Sequence, residues 1–146
     1  MTLPDVALRL AIATAIGAAL GLNREMRDKP AGLKTLALVG LGSAFAPVMM
    51  LAAPVAPGAD AISRVLQGVL TGIGFVGAGV ILHHETLGMV RGLTTAAVVW
   101  VVAGLGFASG LGLHWEALIG AAIALLVLTV GLRVERRVLP SGGGED

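Results

Sequence analysis

The chain has 146 residues, of which 56% are hydrophobic and only 13% charged. Soluble domains carry about 25% charged residues, so this composition excludes an ordinary soluble fold. There is no cysteine, which excludes disulfides, thiolate metal sites and thiol catalysis. The net charge of +1 says little about partners, and no nucleic-acid partner is expected.

Charged residues cluster between Asn23 and Lys34, at Arg64, between His83 and Arg91, and after Leu132. The runs between them are apolar, and about 20 apolar residues cross a bilayer core of about 30 Å. The expected fold is therefore all-α: a polytopic membrane bundle occupying residues 1–139, followed by a disordered tail at 140–146. Five spans fit, at Leu3–Leu22, Leu33–Ala53, Val65–Leu82, Leu93–Leu111 and Trp115–Leu132. No basic start precedes the first span, which reads as a retained helix rather than a signal peptide.

Basic residues choose the orientation. Arg24, Arg27, Lys29 and Lys34 lie in the first loop, Arg91 in the third, and Arg133, Arg136 and Arg137 after the last span. Five spans put all of these on one face. The expectation is an N-terminus outside and a C-terminus in the cytoplasm.

Arg9 lies inside the first span, where a basic residue at mid-membrane costs about 2.5–3.5 kcal/mol. It either snorkels to the headgroups or takes a partner such as Asp5 or Asp60. Arg64 beside Asp60 reads as a local pair at the start of the third span. Glycine is the larger signal. The third span carries Gly68, Gly72, Gly74, Gly77 and Gly79, and Gly17-xxx-Gly21, Gly68-xxx-Gly72 and Gly106-xxx-Gly110 have the spacing of close helix approach. This predicts a central third span. The alternative is that Gly72 to Gly79 unwinds and offers carbonyls to an ion. Gly72-Ile73-Gly74-Phe75-Val76-Gly77 also matches a dinucleotide fingerprint, but that motif needs a strand before it and a helix after it.

Shifted by 60 residues, the first half of the chain meets the second: Gly17 with Gly77, Glu25 with Glu85, Gly32 with Gly92, Thr35 with Thr95. The match suggests two repeated hairpins in parallel orientation, plus a fifth helix without a mate. It would set Glu25 and Glu85, and Thr35 and Thr95, at matching depths near the inner surface, as a functional centre. No catalytic constellation appears. His83, His84 and His114 make a weak zinc case, and no cofactor is expected. The Lys29-Pro30-Ala31-Gly32 turn is either an anchor on anionic lipid or a docking face for a partner or an anionic ligand. Glu25, Asp28 and Glu85 could offer oxygens to magnesium, but the basic surroundings argue against it.

These segments resemble the MgtC/SapB family. Gly21-Leu22-Asn23-Arg24-Glu25 and Lys29-Pro30-Ala31-Gly32-Leu33-Lys34-Thr35 are similar to its first signature. Arg64-Val65, Thr71 and Gly72 to Gly79 are similar to the second, and Gly92-Leu93-Thr94-Thr95-Ala96-Ala97 with Trp100 to the third. The chain departs from the family at Asn23, at Gly68 beside Gln67, and at His114; the first two weaken any proton- or cation-linked role. Longer members carry a soluble C-terminal domain, and none is expected here. The resemblance implies a bacterial inner-membrane protein linked to magnesium limitation, acid stress and survival inside host cells. It further implies a non-enzymatic regulator, compatible with homo-oligomers, acting on ATP synthase or cation-transporting ATPases. The competing reading is a magnesium or proton transporter with a path along Glu25, Thr71, Thr94, Thr95 and Glu85.

Overall fold

The computed structural model describes residues 1–54, 57–82 and 92–138, with side chains described through Gly131. Five helices make up these residues: α1 (Leu3–Glu25), α2 (Leu33–Leu51), α3 (Ala59–Leu82), α4 (Leu93–Leu111) and α5 (His114–Val138). Each is long and apolar enough to cross a membrane. Glu85, His83, His84 and Arg91 lie outside the described residues, as does the tail at 140–146.

Each helix starts or stops for a local reason. Thr2 caps α1 by accepting from the Asp5 N–H at 3.4 Å, and Pro4 sits in the first turn, where its missing N–H costs nothing. At the other end the Asp28 N–H donates to the Glu25 carbonyl at 3.1 Å and the Lys29 N–H to the Arg24 carbonyl at 3.1 Å. This is a Schellman stop, with Asp28 (φ 52°) in the left-handed position that glycine usually fills. α4 stops the same way at Gly112 (φ 92°), with Leu113 donating to Ala108 at 3.0 Å. The third helix begins at Ala59, earlier than the apolar run from Val65. Asp60 and Ser63 are good first-turn residues, and apolarity alone does not see them.

α4, not α3, is the central helix. It touches all four others, whereas α3 packs mainly on α4 and slightly on α2. In its most apolar stretch, 50% of α4 is buried inside the bundle, against 6% of α3. The glycines explain the difference. Lipid tails are as apolar as leucine, so helices in a membrane associate largely by close packing. Side chains built on Gly17 or Gly21 would run into the backbone of α2 at Leu36 and at Gly32–Leu33. One on Gly106 would lie 2.5 Å from the Gly40 carbonyl oxygen, and one on Gly40 2.5 Å from that of Ala13. Gly110 meets Ala44 and Pro47 in the same way. α2 is thus pressed between the glycine stripes of α1 and α4. By contrast Gly68, Gly72, Gly74 and Gly79 face open space, and α3 is one unbroken helix, so the alternative of local unwinding is not realised.

Gly77 is the exception on α3. Its missing Cβ would lie 3.5 Å from Ala96 on α4. Gly17 bears on Leu36 at the positions 60 residues earlier. The two hairpins thus share one corresponding contact, tighter in the first. Ile16, Leu20, Leu36, Val98, Val99 and Val102 fill the space between α1, α2 and α4, and Ala117 and Ala121 bring α5 against it.

Candidate functional site

Polar side chains gather at the two ends of the bundle. At the end where α1 starts and α4 stops, Arg9 is held rather than snorkelling. Its Nε donates to Asp5 Oδ1 at 3.1 Å and its Nη1 to the Gly110 carbonyl at 3.0 Å. The Ser109 hydroxyl, fully buried, donates back to the Arg9 carbonyl at 2.9 Å. A cation at the end of α4 meets the negative end of that helix and satisfies a carbonyl that would otherwise be orphaned. Asp60 plays no part. The expected Asp60–Arg64 pair does not form either: the one ion pair among the described residues is Arg9–Asp5.

The other end carries the residues of the first and third signatures. Arg24 closes α1 on its buried side, and its guanidinium donates to the hydroxyl of Thr95 in the first turn of α4. Both are buried, at 5% and 2% exposure. Glu25, its neighbour, turns the opposite way. Its Oε2 accepts from the Leu33 N–H at 2.8 Å and lies over Gly32. It thereby caps α2, whose own N-cap, Gly32, has no side chain to do so. Between these two fixed points, Met26 to Gly32 form a short turn with a second left-handed residue, Ala31 (φ 58°). Pro30 is half-buried there, while Lys29 and Lys34 are exposed.

The remaining residues singled out in the sequence are not gathered here. Arg64, Thr71, Gly72, Gly74 and Gly79 lie on the exposed face of α3, and Gly77 on its packed face. Thr94 and Trp100 are exposed on α4. Thr35 is exposed whereas Thr95 is buried, so the two repeat-related threonines occupy different environments. The reason lies in the packing: α4 is enclosed by neighbours on more sides than α2. Gly92 (φ 93°) opens α4 in a left-handed conformation, close against the Val80 carbonyl. Among the described residues no group of three or more His, Asp or Glu could hold a metal ion. Sequence reasoning marked Arg24 and Thr95 separately but could not join them, because 71 residues intervene. It missed Ser109 altogether, since a lone serine in a span carries no local signal.

The MgtC family profile matches residues 10–137. The chain is 39% identical to SrpB of Synechococcus elongatus, over 90% of this chain and 77% of that protein. It is 39% identical to SapB of Bacillus subtilis, over 87% of this chain and 56% of that protein. With MgtC of Salmonella typhimurium the identity is 43%, over 86% of this chain and 52% of that protein. The chain thus spans little more than half the length of the last two. No solved structure matches it.

Proposed function

This chain belongs to the MgtC family, and within it we propose a non-enzymatic regulator of the bacterial inner membrane. It acts on other membrane proteins under magnesium limitation or acid stress, with the N-terminus outside and the C-terminus in the cytoplasm. The partners in this reading are ATP synthase or a cation-transporting ATPase.

One observation carries the reading. The turn from Met26 to Gly32 is pinned at both ends, by the Lys29–Arg24 backbone bond at 3.1 Å and by the Glu25–Leu33 cap at 2.8 Å, while Lys29 and Lys34 stay exposed. A short turn held this firmly loses little entropy on docking. Among the described residues, the polar groups that a conducting path would use are engaged elsewhere or face outward. Glu25 caps α2, Arg9 holds the end of α4, and Thr71 and Thr94 lie on the outer surface. That favours regulation over transport.

Charge reversal tests it. Lys29→Glu with Lys34→Glu is expected to leave expression and folding intact while abolishing co-purification of a membrane ATPase. Magnesium or proton flux into vesicles holding only this protein would instead support a transporter and sink the regulatory reading. A reporter fused at the C-terminus that worked only outside the cytoplasm would overturn the orientation.

A further inference from the structure

Among the described residues, Arg24 is a buried charge with no ion-pair partner. It is 5% exposed, and its Nε finds no hydrogen-bond partner. Its one side-chain bond is the donation to Thr95, a neutral hydroxyl. The adjacent Glu25 is committed to the Leu33 N–H at 2.8 Å. A guanidinium stays protonated in proteins, and burying a charge unpaired costs several kcal/mol.

Further donors lie beside the Arg24–Thr95 bond. Thr95 stands in the first turn of α4, whose N-cap is Gly92, with no side chain to accept from the helix. Among the described residues, the first-turn amides of α4 therefore lack the side-chain cap that Glu25 gives α2, at the positive end of the helix dipole. The Thr95 hydroxyl accepts from Arg24 but donates to nothing among the described residues. Thr14, Ser63 and Thr129 behave otherwise, donating to carbonyls four residues back at 2.7, 3.1 and 2.8 Å. A guanidinium edge, a free hydroxyl proton and uncapped amides together want an oxyanion. Lys29, whose backbone N–H bonds the Arg24 carbonyl, and Lys34 in the first turn of α2 are exposed cations of the same segment, with Glu25 and Asp28 exposed beside them in sequence.

We propose that Arg24, Thr95 and the first turn of α4 form a binding site for a phosphoryl group, supplied by free phosphate or by an anionic lipid headgroup. The site requires no partner protein, so it stands or falls separately from the regulatory reading.

Thermal unfolding of the full chain in nanodiscs tests it. In phosphatidylcholine discs, inorganic phosphate raises Tm in a saturable way if the source is free phosphate. In phosphatidylglycerol discs without phosphate, Tm is already raised if the source is the headgroup. Arg24→Met removes the buried charge while keeping an apolar stem, and its Tm becomes independent of both anions. Arg24→Lys keeps the charge without the fork, and Thr95→Val removes the hydroxyl. Each weakens the dependence, by about tenfold in apparent affinity for a lost hydrogen bond to a charged group. These two variants carry the test if Arg24→Met fails to fold. A wild-type Tm unmoved by phosphate and by headgroup overturns the proposal, as does an Arg24→Lys or Thr95→Val protein with undiminished dependence. Protection seen only when a second membrane protein co-purifies overturns it in favour of a partner carboxylate.

Discussion

The Nη1 of Arg9 lies 3.0 Å from the carbonyl oxygen of Gly110, joining the first turns of α1 to the last turn of α4 across 101 residues. A charge inside the first span, expensive by itself, thereby becomes the clamp that closes one end of the bundle. A hydrogen bond to a charged group is worth about 1.5–3 kcal/mol, whereas a partly exposed ion pair is worth about 0–1 kcal/mol. Arg9→Gln should therefore destabilise the protein by about 2 kcal/mol, and Asp5→Asn by less than about 1 kcal/mol. Reversible unfolding in mixed micelles reads both, and an equal loss for the two variants would refute this division.

Glycines that look alike in the sequence should respond oppositely. Gly106→Val forces a side chain onto the Gly40 backbone, where even a Cβ has no room. Overpacking of this kind costs about 1–3 kcal/mol or more, so low yield and a broadened gel-filtration peak are expected. Gly68→Ala, Gly72→Ala and Gly79→Ala meet nothing within 4 Å and should leave unfolding within about 0.5 kcal/mol of the parent. A collapse of the Gly72→Ala protein would mean that α3 has a neighbour beyond this chain.

That contrast also marks how far the sequence could be read. Spacing reports that glycines recur on one helical face, and the runs of apolar residues locate five spans to within a few residues at most of their ends. Which face meets another helix depends on positions distant in the chain, and periodicity holds no information on that. Gly17 and Gly68 have the same pattern around them, yet one abuts Leu36 and the other nothing. The candidate site divides similarly. Arg24, Glu25, Gly32 and Thr95 were all marked by family resemblance, but their jobs were not. The capping role of Glu25 was hidden because its acceptor bond to Leu33 spans eight residues and a turn with two left-handed residues.

Those two residues make a prediction of their own. Asp28 and Ala31 hold φ near +52° and +58°, where a side chain costs about 1 kcal/mol. Ala31→Gly should raise stability by up to about 1 kcal/mol, and Asp28→Gly by less, since aspartate tolerates this region better than alanine. Denaturation midpoints measure both. A loss on Ala31→Gly would show that the Ala31 methyl, packed against the core cluster, outweighs the backbone strain.

Glu25 separates a structural acid from a titrating one. As a cap it needs an oxygen aimed at the Leu33 N–H, and a neutral amide oxygen serves. Glu25→Gln should then keep fold and activity, with a loss of a few tenths of a kcal/mol from the weaker acceptor. Glu25→Ala leaves the first N–H of α2 without its side-chain partner and should cost about 0.5–2 kcal/mol. It should also loosen the turn that exposes Lys29, read as faster amide exchange at Leu33 and faster tryptic cleavage after Arg27. A proton-carrying role predicts the reverse ranking, with Glu25→Gln as inactive as Glu25→Ala despite a stable fold. The two variants, compared for stability and for growth in low magnesium, decide whether this carboxylate holds the turn in place or works within it.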